Sequence, residues 1–434
     1  MDKMADVLGR AGAWCGQNKY LSAIKNAFQN FMPLTIAGAI GVLWCNVLVN
    51  DQTGLGIFFK PIMALDFLNP AFQAVNFCTI SCITVGITLG IAQEIGVWNM
   101  GAERAGYIPG LVGLAAWLSV TNTSHMVEGA KEAFTGIAGN ELGATGLFTG
   151  MIIGVLSVEL FCFFEKQDAL KIKMPEQVPP GVARAFEVLV PATITLIITA
   201  CIGSACYNLT GLYLNDVIKN GIQGPLGAVG ATIPGVMIIY LVIMLFWLVG
   251  IHGNNMLSAV KEALFTPLAL ENVEKFNKGE KPTNIINMYF LQMCGEFGGS
   301  GVTIGLVIAI MIFGKREDNK AIATLSLVPG LFNINETVTF GIPMVLNPIL
   351  GIPFVVAPLI TIIIGYVLTV IGFCPVACLT VPWTTPPIVF GFLACGANVM
   401  GAVTQAILIV VSTVIYVPFL IAYEKYQNKQ AAEA

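Results

Sequence analysis

The sequence encodes an all-α, polytopic membrane protein, and three observations carry that reading. Of its 434 residues, 56% are hydrophobic and only 11% charged, where an ordinary soluble domain carries about 25% charged residues. Its mean hydropathy is +0.80, and apolar runs recur at the length of about 20 residues that a helix needs to cross a bilayer. Between Lys320 and Glu424 the only Asp, Glu, Lys, Arg or His is Glu336. This composition excludes an ordinary soluble enzyme. The net charge of −4 supplies no basic field for nucleic acid.

Taken in order, the chain opens with a polar stretch that has no apolar core of signal-peptide type, so no cleaved leader is expected. Apolar runs then predict spans over 32–50, 71–93, 105–120, 144–164, 188–214, 227–250, 350–373 and 402–423, with a less regular one over 286–313. Two more apolar segments, 321–349 and 376–399, are broken by Pro329-Gly330, Pro343 and Pro348 in the first and by Pro382, Pro386 and Pro387 in the second. A broken helix leaves backbone groups unpaired, which hydrocarbon tolerates only where they line a protein cavity. Both are therefore expected to be re-entrant hairpins around a site inside the membrane.

Orientation follows the basic residues. Lys3, Arg10, Lys19 and Lys25 precede the first span, and Lys166, Lys171, Lys173 and Arg184 follow the fourth, whereas 121–143 has Lys131 among Glu128, Glu132 and Glu141. Both termini are thus expected in the cytoplasm and 121–143 outside, and 252–314 is expected to hold a hairpin. The Pro-containing loop 165–185 divides the chain. Residues 1–180 read as an N-terminal scaffold and dimerisation half, 181–226 as an amphipathic connector (Val182–Val190) and linking span, and 227–434 as the half that binds and moves substrate. Glu103 and Arg104 read as a solvated turn.

Isolated ionisable residues mark the chemistry, because an acid in hydrocarbon costs at least ~2.5 kcal/mol and persists where something uses it. Glu336 lies in Asn333-Ile334-Asn335-Glu336-Thr337, which suits a hydroxyl-rich ligand whose groups both donate and accept. His252 follows Trp247 in Gly250-Ile251-His252-Gly253-Asn254-Asn255, where glycines let backbone approach a ligand. Glu296 sits in Cys294-Gly295-Glu296-Phe297-Gly298-Gly299, and Trp383 between prolines, where its ring could stack on a sugar. The 11 cysteines lie mostly in apolar runs and the 2 histidines are too few for a zinc site, so neither metal nor cofactor is expected.

These segments, with Asn30-Phe31-Met32-Pro33-Leu34, Asn347-Pro348 and Val381-Pro382-Trp383-Thr384-Thr385-Pro386-Pro387, resemble the membrane-embedded IIC components of the bacterial sugar phosphotransferase system, lactose/cellobiose/diacetylchitobiose group. The resemblance spans both halves in the same order. It implies a homodimer of about ten transmembrane helices, with re-entrant hairpins and amphipathic connector helices, in the bacterial cytoplasmic membrane. It implies a β-linked disaccharide, of diacetylchitobiose or cellobiose type, phosphorylated at its 6-hydroxyl by a phosphocysteine of a separate IIB protein charged through IIA and the general phosphocarrier. With neither end long enough for a IIB domain, the chain is expected to be a permease subunit that supports phosphoryl transfer only together with IIB. On this basis His252 and Glu336 are the expected catalytic pair, while the residues' own positions make Trp247, Asn254, Asn255, Glu296, Asn333, Asn335 and Trp383 the expected sugar contacts. A proton-coupled sugar symporter using Glu336 as proton carrier is the alternative.

Overall fold

The computed structural model describes residues 10, 13, 14, 17–51, 56, 59–125, 134–175 and 177–433. Lys3, Glu128, Lys131 and Glu132, used above for orientation, lie outside the described residues. The chain forms two compact units, one of residues 17–38 and 75–227, the other of 1–16, 39–74 and 228–434. Their division falls inside the first helix, α1 (Lys19–Leu43).

In the first unit, α2 (Ile83–Met100), α3 (Ile108–Val120), α4 (Ala144–Glu165) and α5 (Pro180–Thr210) pack together. The fully buried Trp117 ring joins Ala116, Val120 and Ile153, with Leu196 of α5 against them. Small residues set the helix spacing: a Cβ on Gly150 would sit 2.2 Å from Thr88 Oγ1, so only glycine lets α4 lie that close to α2. Val182–Val190, expected as a separate connector, forms the first turns of α5 without interruption. Ser124–His125 and Phe134–Thr135 make a short antiparallel ladder.

This unit holds more buried charge than the sequence suggests. Glu165, 2% exposed, accepts from Arg104 Nε at 2.9 Å and from Arg184 Nη1 at 2.8 Å. Arg104 stays exposed in the turn after α2, as expected, and from there its guanidinium also reaches a buried acid. Glu94 accepts from Asn26 Nδ2 at 2.9 Å, and Glu159 pairs with Lys19. Partners so far apart in sequence leave no periodic trace.

The second unit contains α6 (Ile233–Leu248), α7 (Ser258–Asn277), α8 (Met288–Gly295), α9 (Ile304–Phe313), α10 (Glu317–Leu331), α11 (Glu336–Gly341), α12 (Gly351–Val370), α13 (Val389–Ala394) and α14 (Val399–Glu433). Among the described residues of the chain, five helices are long and apolar enough to cross a bilayer: the α1 helix extended to Leu48, α4, α5, α12 and α14. Two bent pairs raise this to seven, and α3 and α6 are shorter apolar helices.

The broken segments are broken where the sequence places Pro, Gly and Asn. Helix α10 ends just after Pro329-Gly330, Asn333 turns the chain through a left-handed φ of 62°, and α11 restarts at Glu336. From Gly372 to Ile388 the chain follows no regular helix. Its freed backbone groups find buried side chains, as an apolar surround requires. Asn272 and Asn287 each donate to the Ala377 carbonyl at 3.0 Å. Gln405 of α14 accepts from Ile388 N at 2.8 Å and Gly391 N at 2.7 Å, and donates to Met293 O at 3.1 Å. Region 286–313 is α8 and α9 bent by 59°. The bend falls on Glu296 to Thr303, where Gly299 takes a φ of 89° and an added Cβ would lie 2.6 Å from Asn335 Cβ. Helix α7 carries Lys261, Glu262, Glu271, Glu274 and Lys275, and is not among the apolar spans.

Candidate functional site

The site is assembled in the second unit from four interruptions of helix. The first follows α6. Gly250, at a φ of 81°, ends that helix, and His252 opens a short turn of helix, Gly253–Met256, by accepting from Asn255 N through Nδ1 at 3.2 Å. Gly253 is required here: a Cβ on it would sit 2.0 Å from the Ile243 carbonyl oxygen. With Nδ1 accepting, the neutral imidazole carries its proton on Nε2, and Nε2 faces Glu336 Oε1 at 3.8 Å. The His252 ring lies 4.5 Å, centroid to centroid, from the Trp247 ring, which is itself edge-on to Phe354 at 6.3 Å. Trp247 is 1% exposed. It is a floor that fixes the imidazole, and its own faces are covered.

The second interruption presents Glu336 in the first turn of α11, where the helix N-terminus favours a negative charge. Its side chain is 47% exposed. The flanking asparagines hold it there. Asn335, almost fully buried, donates to Ser300 O at 2.8 Å and Thr339 Oγ1 at 3.2 Å. Asn333 accepts from Gly298 N at 2.6 Å, and donates to Thr385 O at 3.1 Å and to the Trp383 carbonyl. Both amide nitrogens of this pair are thus used within the protein, and the Asn333 oxygen is taken by Gly298 N.

The remaining two interruptions are the α8–α9 bend and the loop around Trp383. Asn254 reaches the bend by donating to Ser300 Oγ at 2.9 Å, while its Oδ1 is buried without a partner among the described residues. Glu296, at the bend, accepts from the Tyr240 hydroxyl at 2.8 Å and pairs with Lys261 through the same oxygen, Oε1. Trp383 is 43% exposed, and its carbonyl is anchored to Asn333. Asn255 is exposed and meets His252 through its backbone N–H.

The structure therefore joins Trp247, His252 and Glu336 directly, links Asn254, Glu296 and Asn335 through the 296–300 turn, and ties Asn333 to the Trp383 loop. Sequence reasoning missed Tyr240 and Lys261. Tyr240 is hidden in an apolar helix, whereas Lys261 carries a visible signal as the first charge after His252. A carboxylate beside an imidazole, bordered by anchored amides and a half-exposed indole, can bind a polyhydroxylated ligand and move a hydroxyl proton.

The family profile described as "Phosphotransferase system, EIIC" matches residues 25–358. The chain is 33% identical to the oligo-β-mannoside-specific EIIC component of Bacillus subtilis (strain 168), over 98% of this chain and 94% of that protein. It is 30% identical to the cellobiose-specific EIIC component of Lactococcus lactis subsp. lactis (strain IL1403), over 98% of each. Among solved structures it resembles the transporter ChbC, the IIC component from the N,N′-diacetylchitobiose-specific phosphotransferase system. That likeness has a TM-score of 0.88 and 29% identity, and covers 97% of both chains.

Proposed function

This chain belongs to the phosphotransferase-system EIIC family of multi-pass membrane sugar transporters, and from that membership we propose that it translocates a β-linked disaccharide and presents its 6-hydroxyl to phosphorylated IIB. The relatives named for cellobiose, oligo-β-mannoside and diacetylchitobiose systems support a β-glycoside of this kind. The observation that carries the reading is the half-exposed Glu336 carboxylate with His252 Nε2 3.8 Å away.

Phosphoryl transfer asks the protein chiefly for alignment and charge stabilisation. Glu336 holds the hydroxyl to be phosphorylated and accepts its proton as the oxygen attacks phosphorus. His252 orients that hydroxyl through Nε2–H. The unpartnered Oδ1 of Asn254 and the free oxygen of Glu296 accept from other sugar hydroxyls, with Asn255 at the rim. Asn333 and Asn335 border the same sugar, and Trp383 stacks on a ring. The chain works as a homodimer with both termini in the cytoplasm. Residues 227–434 carry the sugar, residues 1–180 serve as scaffold and dimerisation half, and 181–226 connect them.

The test is uptake of labelled β-disaccharides by the purified protein in vesicles, with and without phosphorylated IIB. The proposal expects the sugar to emerge as its 6-phosphate only when IIB is present. Accumulation of unmodified sugar driven by a proton gradient would replace it with a symporter.

A further inference from the structure

Lys261 is not among the expected sugar contacts, yet it lies at the site through its pairing with Glu296. It is 6% exposed on α7, pairs with Glu296 Oε1, and places Nζ 5.7 Å from the centroid of the Tyr240 ring. The charged side chains acting on His252 are Glu336, Glu296 and Lys261: two carboxylates and one ammonium. A transferring phosphoryl group spreads negative charge over three oxygens, and cations or aligned donors must meet that charge. Two carboxylates repel it. Among the described groups acting on His252, Lys261 is the cation that can oppose them.

The partners of the ion pair are also anchored differently. Glu296 is held at the end of α8, with its Oε1 gripped by the Tyr240 hydroxyl at 2.8 Å. Lys261 is a compact charge on a flexible four-carbon stem. When a phosphoryl group arrives, the lysine can swing while the carboxylate stays.

We propose that Lys261 is a catalytic residue that leaves Glu296 to bind the phosphoryl oxygens during transfer. The inference rests on the phosphotransfer reading above. In the step, the bond from phosphorus to the donor atom of the phosphorylated partner protein breaks, and its electron pair leaves on that atom. A bond from the sugar oxygen to phosphorus forms, and the hydroxyl proton passes to Glu336. Lys261 contributes charge and gives up no proton. Once the phosphosugar departs, the lysine returns to Glu296.

The experiment compares the full-length parent with K261M, K261R, E296Q and K261M/E296Q. It measures affinity for a β-disaccharide, affinity for its 6-phosphate, and single-turnover transfer from phosphorylated IIB. The double variant removes both members of the Lys261–Glu296 pair, which guards against simple misfolding of K261M. Relative to E296Q, the double variant should bind the disaccharide within a few-fold and lose about a hundredfold in transfer rate, the scale seen when one charge-stabilising donor is removed. It should also bind the 6-phosphate at least about tenfold more weakly. K261R should retain part of both activities. Equal transfer by E296Q and K261M/E296Q would overturn the proposal, as would parallel loss of disaccharide and 6-phosphate binding. A parent that phosphorylates no β-disaccharide at all would instead overturn the reading on which it rests.

Discussion

His252 Nε2 and Glu336 Oε1 lie 3.8 Å apart although their residues open two different helical turns, one after α6 and one after α10. The gap is too long for a direct hydrogen bond and suits a hydroxyl or water held between the two groups. Backbone bonds keep the segments in register, with Leu346 N donating to Leu248 O at 2.8 Å.

Replacing Glu336 by Ala removes the charged acceptor, and a hydrogen bond to a charged group is worth about 1.5–3 kcal/mol. Disaccharide affinity should therefore fall roughly 10- to 100-fold, with phosphorylation lost. Isothermal titration of purified Glu336→Ala checks this, and affinity equal to the parent's would remove Glu336 from sugar binding.

Asn333→Ala cuts the ties between the α8–α9 bend, the Glu336 segment and the Trp383 loop. Its cost should be about 2–4 kcal/mol of stability, since backbone groups are left without partners. Asn255→Ala, at an exposed side chain, should change stability by less than about 0.5 kcal/mol. Detergent-solubilised melting curves separate the two. Equal melting temperatures would mean that Asn333 does not hold the loops together.

Gln405→Leu deprives Ile388 N, Gly391 N and Met293 O of their side-chain partner within an apolar surround. A loss of about 2–4 kcal/mol is expected, with the 376–399 segment becoming protease-sensitive before α12. Limited proteolysis with mass spectrometry reads the order of cleavage. An unchanged pattern would contradict the stapling role.

Gly299 and Gly279 both have positive φ, 89° and 73°, but only Gly299 is crowded, by Asn335. Alanine at 279 should cost about 1 kcal/mol from backbone strain alone. At 299 it should cost at least about 3 kcal/mol and reduce sugar binding as well, because Asn335 and Glu336 must shift. Equal effects in thermal denaturation would show that Asn335 yields without cost.

Much of the fold is legible in the residues because bilayer chemistry is a strong filter. Long apolar runs must be helices, and Pro329-Gly330 and Pro382 to Pro387 must interrupt them. The same filter isolates Glu336, His252 and Glu296, since an ionisable group in such runs stands out by composition alone. The pairings were not legible. Arg104 with Glu165, Lys261 with Glu296 and Gln405 with two other segments join residues distant in sequence, and distance along the chain carries no record of approach in space.

What the sequence alone determined is the class of solvent, the positions at which helices break, and the chemical types at the site. Tertiary structure decided which lone pairs and protons remain for a ligand. Asn333 and Asn335 look like sugar contacts in the sequence, yet their amide protons are taken up by neighbouring segments, while Glu336 keeps its carboxylate half open. The reason is that an apolar surround obliges every freed backbone group to find a partner. Which side chains meet that demand depends on packing among segments that only the folded chain brings together.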